Sequence, residues 1–122
     1  MKRKSPKWIE DIRASASFIL QSSAGKTFQD YESNPLLRAA VERHFEIIGE
    51  AMNRLARFDP DIVARIGDYQ RIIAFRNLLI HGYDLIDHKQ VWKVVCEQVP
   101  LLLNRVESIL QEIQDKPIED RG

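Results

Sequence analysis

The 122-residue sequence is poor in cysteine and in the residues that break helices. It contains five glycines and five prolines, so long helices are favoured over a turn-rich β fold. Cys96 is the only cysteine, so no disulfide can form within the chain. Its context, VWKVVCEQV, indicates a small hydrophobic residue of a helix in a reduced protein rather than a catalytic thiol. Gly-rich phosphate loops, a Walker-type lysine and G-x-S-x-G are also absent, which argues against ATP binding by this chain alone.

The sequence also lacks an excess of either charge and any long hydrophobic run. Lysine and arginine together number 18, as do aspartate and glutamate, for a net charge of zero. This balance counts against bulk affinity for nucleic acid, but it allows a local basic cleft, above all one formed where two chains meet. No apolar run approaches the length of a membrane-spanning helix. Because the basic start, MKRKSPKW, lacks the apolar stretch of a secretory signal, we expect a cytoplasmic protein without membrane contact.

Hydrophobic residues make up 44% of the chain and recur at helical spacing along most of it. The length fits one domain over 1–122, with polar tails at about 1–5 and 115–122. The pattern predicts an all-α fold, an antiparallel bundle of four to five helices. The predicted helices cover 6–22, 35–57, 69–81, a segment that starts at Asp87, and a last segment to about Gln114. A polar connection is expected over 22–35, and a turn with a short helical piece over 58–68.

Local signals predict where several helices begin and end. Asn34, which precedes a proline, is a predicted N-cap, and Asp87 has capping-box spacing to Gln90. Gly82 is expected to end the helix over 69–81, and Pro100 either kinks a helix or begins the last one. Gly49 lies in mid-helix, where glycine costs about 1 kcal/mol relative to alanine. The usual compensation is the close approach of another helix.

An unusual set of polar residues lies in the segment FRNLLIHGYDLIDH (75–88). Asn77 and His81 are four residues apart and share a helix face, and Arg76 and Tyr83 nearly align along the axis. Arg76 and His81 differ by about 140° around an ideal helix, so their side chains do not stack. They could still converge on one phosphate, because arginine is long and His81 lies in the final helical turn.

These residue types form a coherent set for cleaving RNA without a metal. Arg76 can recognise phosphate and stabilise a charged transition state. His81 can move a proton near neutral pH, and Asn77 can orient either neighbour by hydrogen bonding. One group would deprotonate the 2′-hydroxyl and another would protonate the leaving oxygen. A single histidine cannot easily do both on opposite sides of the phosphate, but two copies across a dimer could.

The same residues also have a purely structural interpretation. Arg76 would form a salt bridge, His81 would be a helix-terminal cation favoured by the dipole, and Tyr83 would pack with its hydroxyl outward. On spacing alone this interpretation is favoured, because an R-x4-H pattern is short and arises often by chance. It describes a helical bundle without an active cleft.

A resemblance to a known family shifts the preference from the structural interpretation toward the catalytic one. RNLLIHGY resembles the R-x4-H-x-Y motif of the HEPN superfamily, specifically of the HepT-like toxins. VERHFEIIGEAMNRL resembles the helix that these proteins place before the motif, and DLIDHKQVWKVV resembles the segment after it, so roughly residues 8–112 are covered. The resemblance implies a helical bundle that dimerises through the motif-bearing helix, so that two motifs face one cleft. Members are typically toxins of toxin–antitoxin pairs, and several are metal-independent endoribonucleases.

The resemblance implies a role for each motif residue in a type VII-like toxin. Arg76 and His81 would be the catalytic pair, with Asn77 as their supporting neighbour and no cofactor. Tyr83 would be modified with AMP by an antitoxin partner, an MNT-type minimal nucleotidyltransferase. The added charge and bulk would repel and block RNA. Glu50, in the resembling IIGEA segment, is a further supporting candidate. The alternative is a non-catalytic helical binding module that pairs with a nucleotidyltransferase.

The remaining histidines, together with Cys96, give no convincing metal site. His44 is expected to be packed or partly buried in its helix, and His88, near a helix start, to face solvent. Together with His81 and Cys96 they could in principle surround zinc, but their spacing matches no tight ligand pattern.

Charged and aromatic residues elsewhere have ordinary explanations. Glu46 and Glu50 are expected to pair with Arg43 and Arg54 on one helix. The two tryptophans, at positions 8 and 92, are interpreted as packing or interface anchors rather than as platforms for stacking bases.

Overall fold

The computed structural model describes residues 4–81 and 86–115, and this part of the chain is helical without strands. The predicted all-α class is therefore confirmed. The helices, numbered in chain order, are α1 (Ser5–Ser23), α2 (Phe28–Glu32), α3 (Pro35–Phe58), α4 (Pro60–Ile66), α5 (Tyr69–His81), α6 (His88–Glu97) and α7 (Val99–Asp115). Five of these have ten or more residues, whereas α2 and α4 have five and seven. None of the described helices combines the length and apolarity needed to cross a membrane.

The core lies where α1 packs against α3 and α7. Each helix contributes an apolar stripe at three- and four-residue spacing, and side chains such as Ile12, Met52 and Val106 are fully buried. Burial of one such side chain stabilises the fold by about 1.5–3 kcal/mol. Trp8 is also buried, and Trp92 is partly buried against the core, so both pack as predicted.

The longest helix, α3, begins as its sequence predicts. The Asn34 side chain accepts a hydrogen bond from the Leu37 backbone N–H at 3.1 Å, and Pro35 occupies the first helical position. This N-cap satisfies one of the backbone donors that a helix start leaves unpaired. The predicted bounds of α1 and α5 also agree with the structure to within a few residues, and α4 lies within the segment 58–68, where a short helical piece was predicted.

Helix α2 was not predicted, because its sequence lies in the polar segment over 22–35. It is held at its start by a capping box between Thr27 and Asp30. The Thr27 hydroxyl accepts from the Asp30 backbone N–H at 3.2 Å, and the Asp30 carboxylate accepts from the Thr27 N–H at 2.9 Å. Tyr31 then anchors the short helix in the core, where it is fully buried.

Several details near α6 and α7 differ from the predictions. Asp87 caps α6, but its carboxylate accepts from the Lys89 N–H at 2.9 Å rather than from Gln90. By contrast, Pro100 lies in the first turn of α7, so the predicted alternative in which it begins the last helix is confirmed. Cys96 is exposed, so the prediction that it packs as a small hydrophobic residue was wrong. Gly82, the predicted end of α5, lies outside the described residues.

Helix α5 is covered much less completely than the core helices. It packs on α3 and more lightly on α4, and within Tyr69–His81 only Leu79 is buried. Phe75 meets Phe45 of α3 edge to face, with ring centroids 5.1 Å apart. On its other side, an open groove of about 520 Å³ separates α5 from α6 and α7. The motif-bearing helix is thus attached along one side and accessible along the other.

Candidate active site

Helix α5 crosses α3 where Arg76 meets Gly49, and these two residues are in close contact. A Cβ added to Gly49 would lie 2.3 Å from the Arg76 Cβ and 2.4 Å from its Cγ. Real Cβ atoms do not approach this closely, so only glycine allows α5 to lie here. The predicted close approach at Gly49 is confirmed, and its consequence is that the stem of Arg76 is pressed against the α3 backbone.

The guanidinium of Arg76 is held by two acceptors. Its Nη2 donates to Glu50 Oε2 at 3.1 Å, and its Nη1 donates to Asn77 Oδ1 at 3.1 Å. The Arg76 side chain is 22% exposed, so the head lies at the edge of solvent while the stem is covered. Its Nε is buried, and no acceptor for it occurs among the described residues. The planar head therefore has a defined orientation and still has N–H donors that neither acceptor uses.

Glu50 connects Arg76 to a second arginine. While Oε2 accepts from Arg76, Oε1 accepts from the Arg54 Nε at 3.1 Å. Arg54 follows Glu50 by one helical turn, and the two side chains are 55% and 45% exposed. A single exposed pair of this kind contributes about 0–1 kcal/mol. The Glu50–Arg54 pair matters because it extends the contacts of Arg76. Together, Arg54, Glu50, Arg76 and Asn77 form one chain of contacts, here called the Arg76 network.

His81 and Asn77 lie on the accessible side of α5. His81 is the last residue of the helix and is exposed, as is Asn77 one turn earlier. No described residue forms a hydrogen bond with the His81 ring, and none joins it to Arg76. The structure therefore brings Arg76, Asn77 and Glu50 together and leaves His81 open to solvent, whereas Tyr83 lies outside the described residues.

A groove of about 580 Å³, lined in part by the Arg76 network, opens between α1, α3 and α5. Its lining includes four cations (Lys7, Arg43, Arg54, Arg76) and three carboxylates (Asp11, Glu46, Glu50). Most are paired: Lys7 with Asp11 at 2.9 Å and Arg43 with Glu46 at 3.3 Å. The expected pairing of Glu46 and Glu50 with Arg43 and Arg54 is thus present. The surplus positive charge belongs to the network in which Arg76 and Arg54 share one carboxylate.

The other two histidines lie away from Arg76 in the packing of α3 and α6. His44 Nδ1 lies 2.9 Å from the Ser15 hydroxyl, and its ring stacks on Phe18 with centroids 4.1 Å apart. Burial, reinforced by the charge of Arg43, lowers the pKa of His44. His44 is thus packed as predicted, but the prediction that His88 faces solvent was wrong. His88 is half-buried, edge-on to the ring of Tyr31.

Metal-ligating side chains do not converge in the described part of the chain. Among residues 4–81 and 86–115, no three His, Cys, Asp or Glu side chains are grouped so that they could hold an ion. Cys96 is exposed, and its pKa is raised, chiefly by desolvation and also by the nearby Glu97. A raised pKa leaves less of the nucleophilic thiolate at neutral pH.

Comparison with known proteins connects this geometry to one family. Residues 10–109 match the family described as ribonuclease HepT-like. A protein of Thermococcus cleftensis named for ribonuclease HepT is 31% identical over 113 residues, which is 89% of this chain and 98% of the relative. A Methanocaldococcus jannaschii protein named as an inferred RNase is 31% identical, over 88% of this chain and 98% of its own. Another inferred RNase, from Caldanaerobacter subterraneus subsp. tengcongensis, is 29% identical, over 89% of this chain and 97% of its own. No solved structure matches the chain significantly. With the matched segment spanning α3, α5 and the Arg76 network between them, the chain belongs to the HepT-like ribonuclease family.

Proposed function

We propose that this protein is a metal-independent endoribonuclease that acts as a homodimer, with Arg76 and His81 as its catalytic residues. Family membership supports ribonuclease chemistry. The observation that carries the site assignment is the Arg76 network, which fixes the guanidinium between α3 and α5 while leaving N–H donors free. Such a preorganised cation is what phosphoryl chemistry requires, because it stabilises developing charge without reorganising.

In the proposed reaction, the RNA supplies its own nucleophile. A base removes the proton from a ribose 2′-hydroxyl, and the oxygen attacks the adjacent phosphorus. The bond to the 5′-oxygen then breaks, and an acid protonates that leaving oxygen. Arg76 donates to the phosphate oxygens as their charge grows. The His81 side chains of two copies of the site serve as the base and the acid. Asn77 orients Arg76 through its carbonyl oxygen.

The need for a base and an acid on opposite sides of the phosphate favours two copies of the site. Each chain carries one His81, and α5 presents it on the side that its own fold leaves accessible. Pairing of two α5 helices would cover their partly exposed apolar residues and bring two motifs to one cleft. Activity should then fall on dilution in parallel with dimer dissociation, measured by sedimentation. Activity that persists in the isolated monomer would contradict the shared cleft.

The proposed biological role is that of a toxin in a type VII-like toxin–antitoxin pair. Tyr83, two residues after His81 in sequence, is the proposed site of AMP addition by an MNT-type nucleotidyltransferase antitoxin. The negative charge and bulk of the added AMP would repel RNA and block the proposed cleft. Incubation with ATP and the cognate transferase should add one AMP to the wild type and none to Tyr83→Phe, as read by intact mass.

The decisive test of the enzyme is RNA cleavage in EDTA by the purified protein and by His81→Ala. Gln70→Ala is the matched control, because Gln70 is exposed on the same helix but outside the motif. We expect cleavage by the wild type and by Gln70→Ala but not by His81→Ala. Equal cleavage by all three would point to contamination or another site.

A second candidate function is a non-catalytic module that binds a nucleotidyltransferase. It is favoured by the salt bridge between Arg76 and Glu50, which is the pairing expected if Arg76 were only structural. This function predicts no cleavage by the wild type, even when intact mass shows no AMP on Tyr83. It also predicts that the transferase still binds tightly.

A further inference from the structure

We propose that Glu50 and Arg54 are positioning residues for Arg76: Glu50 orients its guanidinium, and Arg54 offsets the Glu50 charge that would otherwise repel an RNA phosphate from Arg76. This inference deepens the proposed ribonuclease function and rests on it. The Glu50 carboxylate accepts hydrogen bonds from two arginines through different oxygens, Oε2 for Arg76 and Oε1 for Arg54. Neither arginine displaces the other.

Glu50 is placed to fix the direction in which Arg76 points. The stem of Arg76 is confined by Gly49, the residue immediately before Glu50. With the stem held at that point, the bond from Nη2 to Glu50 sets the rotation of the planar head. Asn77 holds the other terminal nitrogen. Removing the Glu50 charge would leave the stem in place but allow the head to turn, so the loss should fall on the chemical step.

A phosphate bound to the remaining Arg76 donors also lies near the charge of Glu50. Both groups are anions, so a carboxylate paired with Arg76 alone would repel the phosphate. Arg54 neutralises part of this charge from the opposite oxygen. Arg76 can then keep its bond to Glu50 while its free N–H donors bind the phosphate. Arg54 should therefore lower the cost of substrate binding.

Arg54 is suited to this role because its contact with Glu50 is local. The two residues are one turn apart on α3, so the pair does not depend on the position of α5. Arg54 is also mostly exposed, and its removal should not disturb the core. The neighbouring pair, Arg43 with Glu46, has the same chemistry on the same helix but does not bind Arg76. It provides a matched control.

The test measures kcat and KM separately on a short single-stranded RNA. In Glu50→Gln, we expect kcat to fall at least about tenfold with KM unchanged or lower. In Arg54→Ala, we expect KM to rise about threefold to tenfold with kcat nearly unchanged. Glu46→Gln and Arg43→Ala should match the wild type in both constants. Thermal melting of each variant confirms that the comparison is made on folded protein.

The double variant Glu50→Gln/Arg54→Ala separates this role from direct phosphate binding by Arg54. If Arg54 acts through Glu50, its removal should change KM little once Glu50 is neutral. If instead KM rises in the double variant as much as in Arg54→Ala, Arg54 binds RNA itself and the inference is overturned. It is equally overturned if Glu50→Gln and Glu46→Gln behave alike.

Failure of the inference can be told apart from failure of the proposed function. A wild type that does not cleave, or an Arg76→Ala variant that cleaves as well as the wild type, removes the ribonuclease site, and the inference with it. Loss of cleavage in Arg76→Ala, combined with unchanged constants in Glu50→Gln and Arg54→Ala, keeps the site and overturns only the positioning roles.

Discussion

The helices of the core and the motif-bearing helix use similar residues in different ways. Each of α1 and α3 buries eight residues, whereas α5 buries only Leu79. Yet α5 also carries large apolar side chains, and most of them remain partly exposed: Ile72, Ile73, Phe75, Leu78 and Ile80. Three of them, Ile72, Ile73 and Phe75, pack against the core without being fully buried. The difference indicates that the stability of the chain rests on the core helices more than on α5.

The largest expected effect is a loss of RNA cleavage on α5 without a comparable loss of stability. Arg76→Ala should reduce RNA cleavage about 10²–10³-fold, because it removes the cation that stabilises the charged transition state. The free energy of unfolding should change by only about 1 kcal/mol, because the ion pair is partly exposed. Cleavage assays and chemical denaturation of the same preparation measure both. A large loss of stability with unchanged cleavage would make Arg76 a structural residue.

The next effect compares the core with α5 directly. Ile12→Ala should lower the free energy of unfolding by about 2–5 kcal/mol, because Ile12 is fully buried between helices. Leu78→Ala should lower it by about 1 kcal/mol, because Leu78 is only partly covered. Both are measured by urea denaturation at a concentration where the protein is monomeric. Equal losses of unfolding free energy in the two variants would mean that α5 contributes to the core as much as α1 does.

A smaller effect is expected where the two regions touch. Gly49→Ala gains about 1 kcal/mol of helix propensity, but its Cβ would lie 2.3 Å from the Arg76 Cβ. Such overpacking costs about 1–3 kcal/mol, so we expect a modest net loss of stability. Because α5 must shift, cleavage should fall more than stability does. Ala51→Gly on the same helix controls for propensity, and a Gly49→Ala protein with full activity would show that the close approach does not position Arg76.

The sequence predicts local features of this fold better than contacts between distant segments. The extents of α3 and α5 follow from helical periodicity, and the start of α3 follows from Asn34 and a proline. Helix α2 was missed because five residues are too few for periodicity, although its T-x-x-D capping box was a usable signal. His88 was wrongly expected to face solvent, because the ring of Tyr31 that covers it belongs to the missed helix.

The candidate site shows the same limit. The motif residues of α5 could be read directly from the sequence, and Asn77 contacts its neighbour Arg76. The bond between Arg76 and Glu50 joins residues 26 positions apart, and it exists only because α5 crosses α3 at Gly49. The mid-helix glycine indicated that some helix would approach, but helical spacing alone cannot say which residue would lie over it.

The smallest expected effect is a pH dependence confined to the side of α3 that faces α1. Burial against Phe18 and Ser15, with the charge of Arg43, lowers the pKa of His44 in the folded protein. The unfolded chain therefore binds a proton more readily than the folded one, and His44 contributes stability that is present above its unfolded pKa of about 6.5. That contribution is lost as the pH falls below this value toward the lowered folded pKa. Between pH 7.5 and 5.5, the Tm of the wild type should therefore fall more than that of His44→Gln.

In the control variant Gln70→Ala, Tm should change with pH as it does in the wild type. If Tm changes equally with pH in the wild type and in His44→Gln, the buried imidazole does not couple to folding. Cleavage at a fixed pH should be unaffected in His44→Gln, because His44 packs on α1 and does not contact the Arg76 network.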